Sequence, residues 1–405
     1  MNALKVLVVD DSTVQRAHVM NMCTEHDLSD VSGATDGADA IEKLKQDKYQ
    51  LVFIDLEMPV MDGVELARHI AKDNLAEAVI ILSSKDPSLI SSIGTMAESD
   101  GLNVLGTFQK PLQPQDLKTS LKRVDMKLFK SDGAVEDHRL TKDDILQGMK
   151  NEEITLVFQP KVTCKGILLK GVESLARWTH PKLGFISPEE FIHVAEEYGM
   201  ISELTHYLFD IALKQKAQWL GFGINFHLAF NLSPLMLSDP DLAEKITNQV
   251  NTYKVDSKEI VLEVTENAIC GEVSMSIQTL AKLRLSGFKI AIDDYGTGFA
   301  NAQQLSRVPA TELKLDRVLV DNAANKPQQL AILRSTVNLA KDLGLNTVAE
   351  GVENFDDYQL IHDLGVDLIQ GYYFSKPLTP NDLITWLTKE LPEKRKAIMD
   401  RDKES

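Results

Sequence analysis

Five short apolar runs, Lys5–Asp10, Val31–Ala34, Leu51–Asp55, Val79–Ser83 and Val104–Phe108, open the chain, each followed by a stretch of helical period. That alternation predicts an α/β domain with an open, doubly wound five-stranded parallel sheet, whose functional groups gather at the carboxyl ends of the strands. Leu117, Leu121, Val124 and Leu128 then extend one apolar stripe, which "KSDGAVEDHR" at Lys130–Arg139 interrupts. Residues 1–125 are therefore read as one domain and 126–139 as a linker.

From Leu140 an amphipathic helix, "LTKDDILQGMKNEE", precedes eight strand candidates: Ile154–Val162, Leu168–Ala176, Ile224–Asn231, Ile260–Thr265, Lys289–Asp293, Glu312–Leu315, Asn346–Glu350 and Leu368–Tyr373. All but the first two are separated by segments long enough for a helix, which predicts a (β/α)8 barrel over residues 140–390. The first pair is joined only around Lys165 and Gly166. A parallel crossover needs about a dozen residues or more, so the barrel should be irregular, with an antiparallel first strand. Residues 391–405 are charged and read as a frayed, solvated tail.

The chain has 405 residues, a size that favours two or three domains over one core. No stretch approaches the ~20 apolar residues of a membrane span, and the N-terminus lacks the features of a signal peptide. A cytoplasmic protein is the expectation. Cys23, Cys164 and Cys270 are scattered, which fits neither a disulfide framework nor a zinc site. A formal net charge of −17 disfavours DNA as a partner. An anionic substrate would need metal ions or a local basic cluster.

The strand ends of the first domain bring together Asp10, Asp11, Asp55, the Ser83–Ser84 pair and Lys110. Crowded carboxylates repel, and a hard cation such as Mg²⁺ relieves them. One of the acids can then attack a phosphoryl donor, and Asp55 is the candidate. "VVDDS", "FIDLEMPVMDG", "IILSS" and "QKP" resemble the receiver domain of two-component response regulators over about Lys5–Arg123. The resemblance implies that Asp55 is phosphorylated by a cognate histidine kinase and that Asp10 and Asp11, with Asp55, hold one Mg²⁺. Ser83 and Lys110 would bind the phosphoryl group. Thr107 stands where the family commonly has an aromatic switch residue, and Phe108 should point to the opposite face of the strand.

The barrel's strand ends carry Glu173, Arg177, Asn231, Glu263, Glu266, Asp293, Asp294, Lys314, Glu350, Glu353 and Gln370. One barrel face collects all of them, and a ring of oxygen donors without His or Cys suits Mg²⁺ or Mn²⁺. Lys314 lies between Leu313 and Leu315, so it points inward if they point outward, and an inward lysine needs an acidic or phosphate partner. Two metals would suit in-line displacement at phosphorus, whereas glycoside hydrolysis needs only two spaced acids.

"VFQPKV", "GVESLARW", "FNLSP", "LEVTEN", "AIDDYGTGF", "LKLDR", "AEGVE" and "QGYYFSKP" resemble the EAL-domain cyclic di-GMP phosphodiesterases over about Leu140–Leu387. The resemblance implies hydrolysis of cyclic di-GMP to linear pGpG. Glu173, Asn231, Glu263 and Asp293 would ligate one metal, and Asp293 would bridge to a second held by Asp294 and Glu350. Lys314 would orient water and Arg177 would contact phosphate. Glu353 and Gln370 would support the metal waters, and Glu266 would anchor the loop Tyr295–Phe299. The central Glu-Ala-Leu reads Glu173–Ser174–Leu175 here. Such domains are often dimers, so a homo-oligomer is expected. The alternative function is a non-catalytic cyclic di-GMP receptor that signals through a protein partner, recognisable by binding without turnover.

Overall fold

The computed structural model describes the chain apart from residues 1–3, 27, 29, 86–89, 91, 92, 95, 99, 115, 118, 119, 121–139, 270–272, 297–301 and 402–405. Two compact units, Met1–His138 and Arg139–Ser405, make it up.

In the first unit the strands are β1 (Lys5–Val9), β2 (Asp30–Ala34), β3 (Tyr49–Asp55), β4 (Ala76–Ser83) and β5 (Val104–Gln109). They form a parallel sheet in the order β2-β1-β3-β4-β5. Leu7, Val9, Val52, Ile54 and Ile81 pack on one face and Val6, Val8, Phe53, Ile80 and Leu82 on the other. Both faces are covered, which is why these strands read as unbroken apolar runs. Phe108 packs with Leu82, while Thr107 faces Gly94 on the opposite side of β5. Of the expected stripe, Leu117 is fully buried. Leu121, Val124, Leu128 and the linker 126–139 lie outside the described residues.

The second unit contains β6 (Ile154–Thr163), β7 (Leu169–His180), β8 (Gly184–Ile186), β9 (His227–Asn231), β10 (Ile260–Thr265), β11 (Lys289–Tyr295), β12 (Glu312–Leu315), β13 (Asn346–Ala349) and β14 (Leu368–Ile369). Eight of them close a barrel; β8 adds only an edge to β7. As expected from the short connection, β6 runs antiparallel, and it does so to both of its neighbours, β7 and β14.

Alternation sorts the barrel residues. Leu262, Ile290, Ile292, Leu313 and Leu315 join the core between strands and helices. The intervening positions carry Glu263, Asp293 and Lys314, above a small apolar patch of Ala229, Val261 and Ala291. Stagger between strands sets Glu173 opposite Ala229 and Glu263 opposite Ala291, so each bulky polar side chain has a small neighbour.

The expected frayed tail is instead a helix, Leu391–Arg401, in which Leu391 and Ile398 are buried. These two residues are seven apart and share a helical face. Its basic residues cover aromatic rings: Lys394 Nζ lies 4.0 Å from the Tyr373 ring centre and Arg401 lies 5.1 Å from that of Phe355. Cys23 and Cys164 are buried free thiols, pushed up to about 12 by burial. Cys270 is outside the described residues. Among the described residues no helix is long and apolar enough to cross a membrane.

Candidate functional site

Lys314 is the hub of the barrel mouth. Its ammonium is 2.8 Å from Asp293 Oδ1, 2.9 Å from Glu350 Oε1, 3.0 Å from Glu263 Oε2 and 3.5 Å from Glu173 Oε2. Burial disfavours its charge, yet the surrounding acids prevail and hold its pKa well above the usual lysine value. Around it stand two acid trios, Glu173–Glu263–Asp293 and Asp293–Asp294–Glu350, each with carboxylate oxygens within 4.8 Å of one another. Asp293 belongs to both.

Adjacent residues of a flat strand cannot both face one site, and the backbone solves this locally. The β11–β12 register shifts between Ile292 and Tyr295, and Asp294 takes a left-handed φ of 55°. Both carboxylates therefore reach the mouth. Beyond them Gly296, at φ 106°, donates its N–H to buried Glu266 Oε2 at 3.0 Å. A side chain at Gly296 would meet Leu319 Cδ1 at 2.5 Å, so glycine is required there on two counts. Thr297, Gly298 and Phe299 of the expected loop lie outside the described residues.

Amides complete the ring. Asn231 Nδ2 donates to Glu173 Oε1 at 2.8 Å, and Gln370 Nε2 donates to Glu173 Oε2 at 2.6 Å and to Gln159 Oε1 at 2.9 Å. Arg177 is half-buried near the mouth, its Nη1 donating to the Ala176 carbonyl at 2.7 Å. Glu353 is not brought to the trios; it pairs with Arg317 Nη1 at 2.7 Å.

Two polar residues were missed in the sequence, Gln159 and Lys161. Both occupy the inward positions of β6, and Lys161 is buried in an ion pair with Glu263. The signal was available: "VFQPKV" alternates apolar and polar positions as "LKL" does around Lys314.

Five acids, Glu173, Glu263, Asp293, Asp294 and Glu350, thus stand against two ammonium groups in ion pairs with them among the described residues, Lys161 and Lys314. The excess is relieved by protons or by cations. Burial lifts Asp294 to about 6, Glu263 to about 7 and Glu350 to about 8, the neighbouring acids adding to each shift; Lys314 opposes it at Asp294 and Glu350, and Lys161 followed by Lys314 at Glu263. Glu173 is the exception: burial alone would raise it, but Lys314, Lys161 and the Gln370 and Asn231 amides hold it down at about 2. The donor set is oxygen only, which fits Mg²⁺ or Mn²⁺. Acids with raised pKa values are protonated below those values, so cations must displace protons there. Mn²⁺ binding should therefore release protons and tighten as pH rises from about 6 to 8. Calorimetry in two buffers of different ionisation enthalpy measures this; affinity independent of pH over that window would contradict the picture.

In the first unit Lys110 Nζ bridges Asp10 Oδ2 at 2.7 Å and Asp55 Oδ2 at 2.8 Å. Asp11 joins both acids in a third trio, exposed where they are buried. Burial raises the Asp55 pKa, only partly countered by Lys110. Lys110 itself is raised, the hydrogen bonds to Asp10 and Asp55 outweighing burial. Ser83 is buried beside this corner at the end of β4, its Oγ accepting from the Lys85 N–H at 3.1 Å.

A parallel five-stranded sheet with an acid trio and a lysine at its carboxyl edge and a β/α barrel with acids around a lysine are the two architectures that the sequence resemblances imply. The chain belongs to the EAL domain family: residues 142–377 match the EAL domain and residues 6–122 the response regulator receiver domain. It is 33% identical to the cyclic di-GMP phosphodiesterase RocR of Pseudomonas aeruginosa over 382 residues, 93% of this chain and 97% of that one. Among solved structures, the phosphodiesterase PaMucR in its c-di-GMP complex is 33% identical with a TM-score of 0.57, covering 60% of this chain and 98% of that one. The EAL enzyme Bd1971, in a form with cAMP and cyclic-di-GMP bound, is 28% identical with a TM-score of 0.58, covering 68% and 75%.

Proposed function

We propose that this chain hydrolyses cyclic di-GMP to linear pGpG with two divalent cations, Mg²⁺ or Mn²⁺, and that phosphorylation of Asp55 by a histidine kinase sets the rate. The observation that carries the reading is the sharing of Asp293 by two acid trios around one buried lysine. Glu173, Glu263, Asp293 and Asn231 would hold one cation, and Asp293, Asp294 and Glu350 the other. When bound, such a pair supplies Lewis-acid polarisation of the phosphodiester and makes water a better nucleophile.

The chain's own residues do the rest. Lys314 holds four acids in register and donates towards the attacking water. Arg177 swings from its backbone contact to a phosphate oxygen, and Gln370 and Asn231 keep Glu173 oriented. Water adds to one phosphorus, the bond from that phosphorus to the 3′ oxygen breaks, and a proton ends on the released 3′ hydroxyl. Glu266 ties down the loop after Asp294 through Gly296. Glu353 is paired with Arg317 outside the trios and would have to leave that pair to support the metal waters.

In the receiver, Asp10 and Asp11 would hold one Mg²⁺ beside Asp55, with Lys110 and Ser83 meeting the new phosphoryl oxygens. Phosphorylation replaces the single charge of the Asp55 carboxylate with about two on the phosphoryl group, so Lys110 would turn from Asp55 Oδ2 to the new oxygens. A cytoplasmic homo-oligomer fits the same reading. Acetyl phosphate is expected to change wild-type turnover and to leave that of Asp55→Asn unchanged. Equal responses from both proteins, measured as pGpG formed per minute, would sink the regulatory part.

A further inference from the structure

β6 carries no acid of the two trios, yet it reaches both remaining acids of one. Gln159 accepts from Gln370, which also donates to Glu173, and Lys161 pairs with Oε1 of Glu263. Glu263 Oε2 meanwhile accepts from Lys314 at 3.0 Å. Both oxygens of this carboxylate are therefore held by ammonium groups. Lys314 is shared among four acids, whereas Glu263 is the only ion-pair partner of Lys161 among the described residues.

A lysine buried to this degree must be paired, so a purely structural role would satisfy burial alone. The location argues for more. Glu263 belongs to only one trio, Glu173–Glu263–Asp293, and among the described residues Lys161 forms no ion pair with Asp293, Asp294 or Glu350 of the other. A long carboxylate held at one oxygen can rotate about its last torsion, which is broad and two-fold. Held at both, it presents a fixed edge before any ligand arrives.

We propose that Lys161 is a positioning residue for Glu263, orienting this carboxylate so that its trio is preorganised for a divalent cation. The inference rests on reading the barrel acids as cation ligands, though not on the nucleotide. Loss of a group that orients a ligand costs about 10–100-fold in metal affinity.

The test is Mn²⁺ titration calorimetry on the full chain without nucleotide, with Glu263→Gln and Asp294→Asn marking the step that belongs to each trio. Lys161→Met should weaken the Glu263 step by about tenfold or more and leave the other within about twofold. Glu263→Gln with and without Lys161→Met should titrate alike, because the lysine acts through that carboxylate. Lys161→Gln is measured in parallel and should weaken the same step. Wild-type titration by Lys161→Met, equal weakening of both steps, or a further loss in the double variant would overturn the assignment. So would the failure of both Lys161 variants to melt cooperatively, which would make Lys161 a structural counter-ion. Because no turnover is involved, failure of the proposed hydrolysis is a separate result.

Discussion

Lys314→Met is expected to lower cyclic di-GMP turnover on the order of 10³-fold, the scale for removing a preorganised donor from an enclosed site. Its ammonium lies within 3.5 Å of Glu173, Glu263, Asp293 and Glu350, so one substitution removes the counter-charge of four acids together with the donor proposed to orient water. Stability should fall as well. Removing one partner from a buried ion cluster costs about 3–5 kcal/mol, and that loss should appear in full in chelator. Mn²⁺ replaces the missing positive charge, so it should recover much of the melting temperature. It should not recover turnover, since the donor is still absent. Melts in EDTA and in Mn²⁺ separate the two losses; turnover within tenfold of wild type would refute the role given to Lys314.

Asp293→Asn should be as severe for a different reason. Asp293 supplies an oxygen to both trios, and its Oδ1 also accepts the Asp294 N–H at 2.9 Å. Losing its charge should weaken both Mn²⁺ binding steps by at least about 100-fold, the upper end of what loss of a merely supporting partner costs. Turnover should become undetectable. Asp294→Asn is the control, because that residue belongs to one trio only: one binding step should survive. A titration in which Asp293→Asn and Asp294→Asn lose the same single step would show that Asp293 is not shared.

The inward-facing set was legible wherever a polar residue interrupts an apolar strand. Lys314 between Leu313 and Leu315 could be read directly, and the short connection before β7 revealed the antiparallel β6. What the sequence hid were consequences of backbone geometry. Glu350 and Glu353 are three apart, a helical spacing, but Gly351 takes φ 64° and no helix begins there. The two acids diverge, one to Lys314 and the other to Arg317. Lys161 has the same alternation around it as Lys314, but which face of β6 turns inward depends on closure against β14, a long-range pairing that the local pattern does not state. The tail misled through its charge. Leu391 and Ile398 suffice to seat a helix whose basic side chains lie over aromatic rings.

Chromatography of cyclic di-GMP incubated with the purified chain bears most directly on the central claim. With Mg²⁺ or Mn²⁺ the wild type should yield pGpG, Glu173→Ala should yield none, and chelator should abolish the product. Intact cyclic di-GMP after incubation with metal and with the chain pretreated with acetyl phosphate would contradict it.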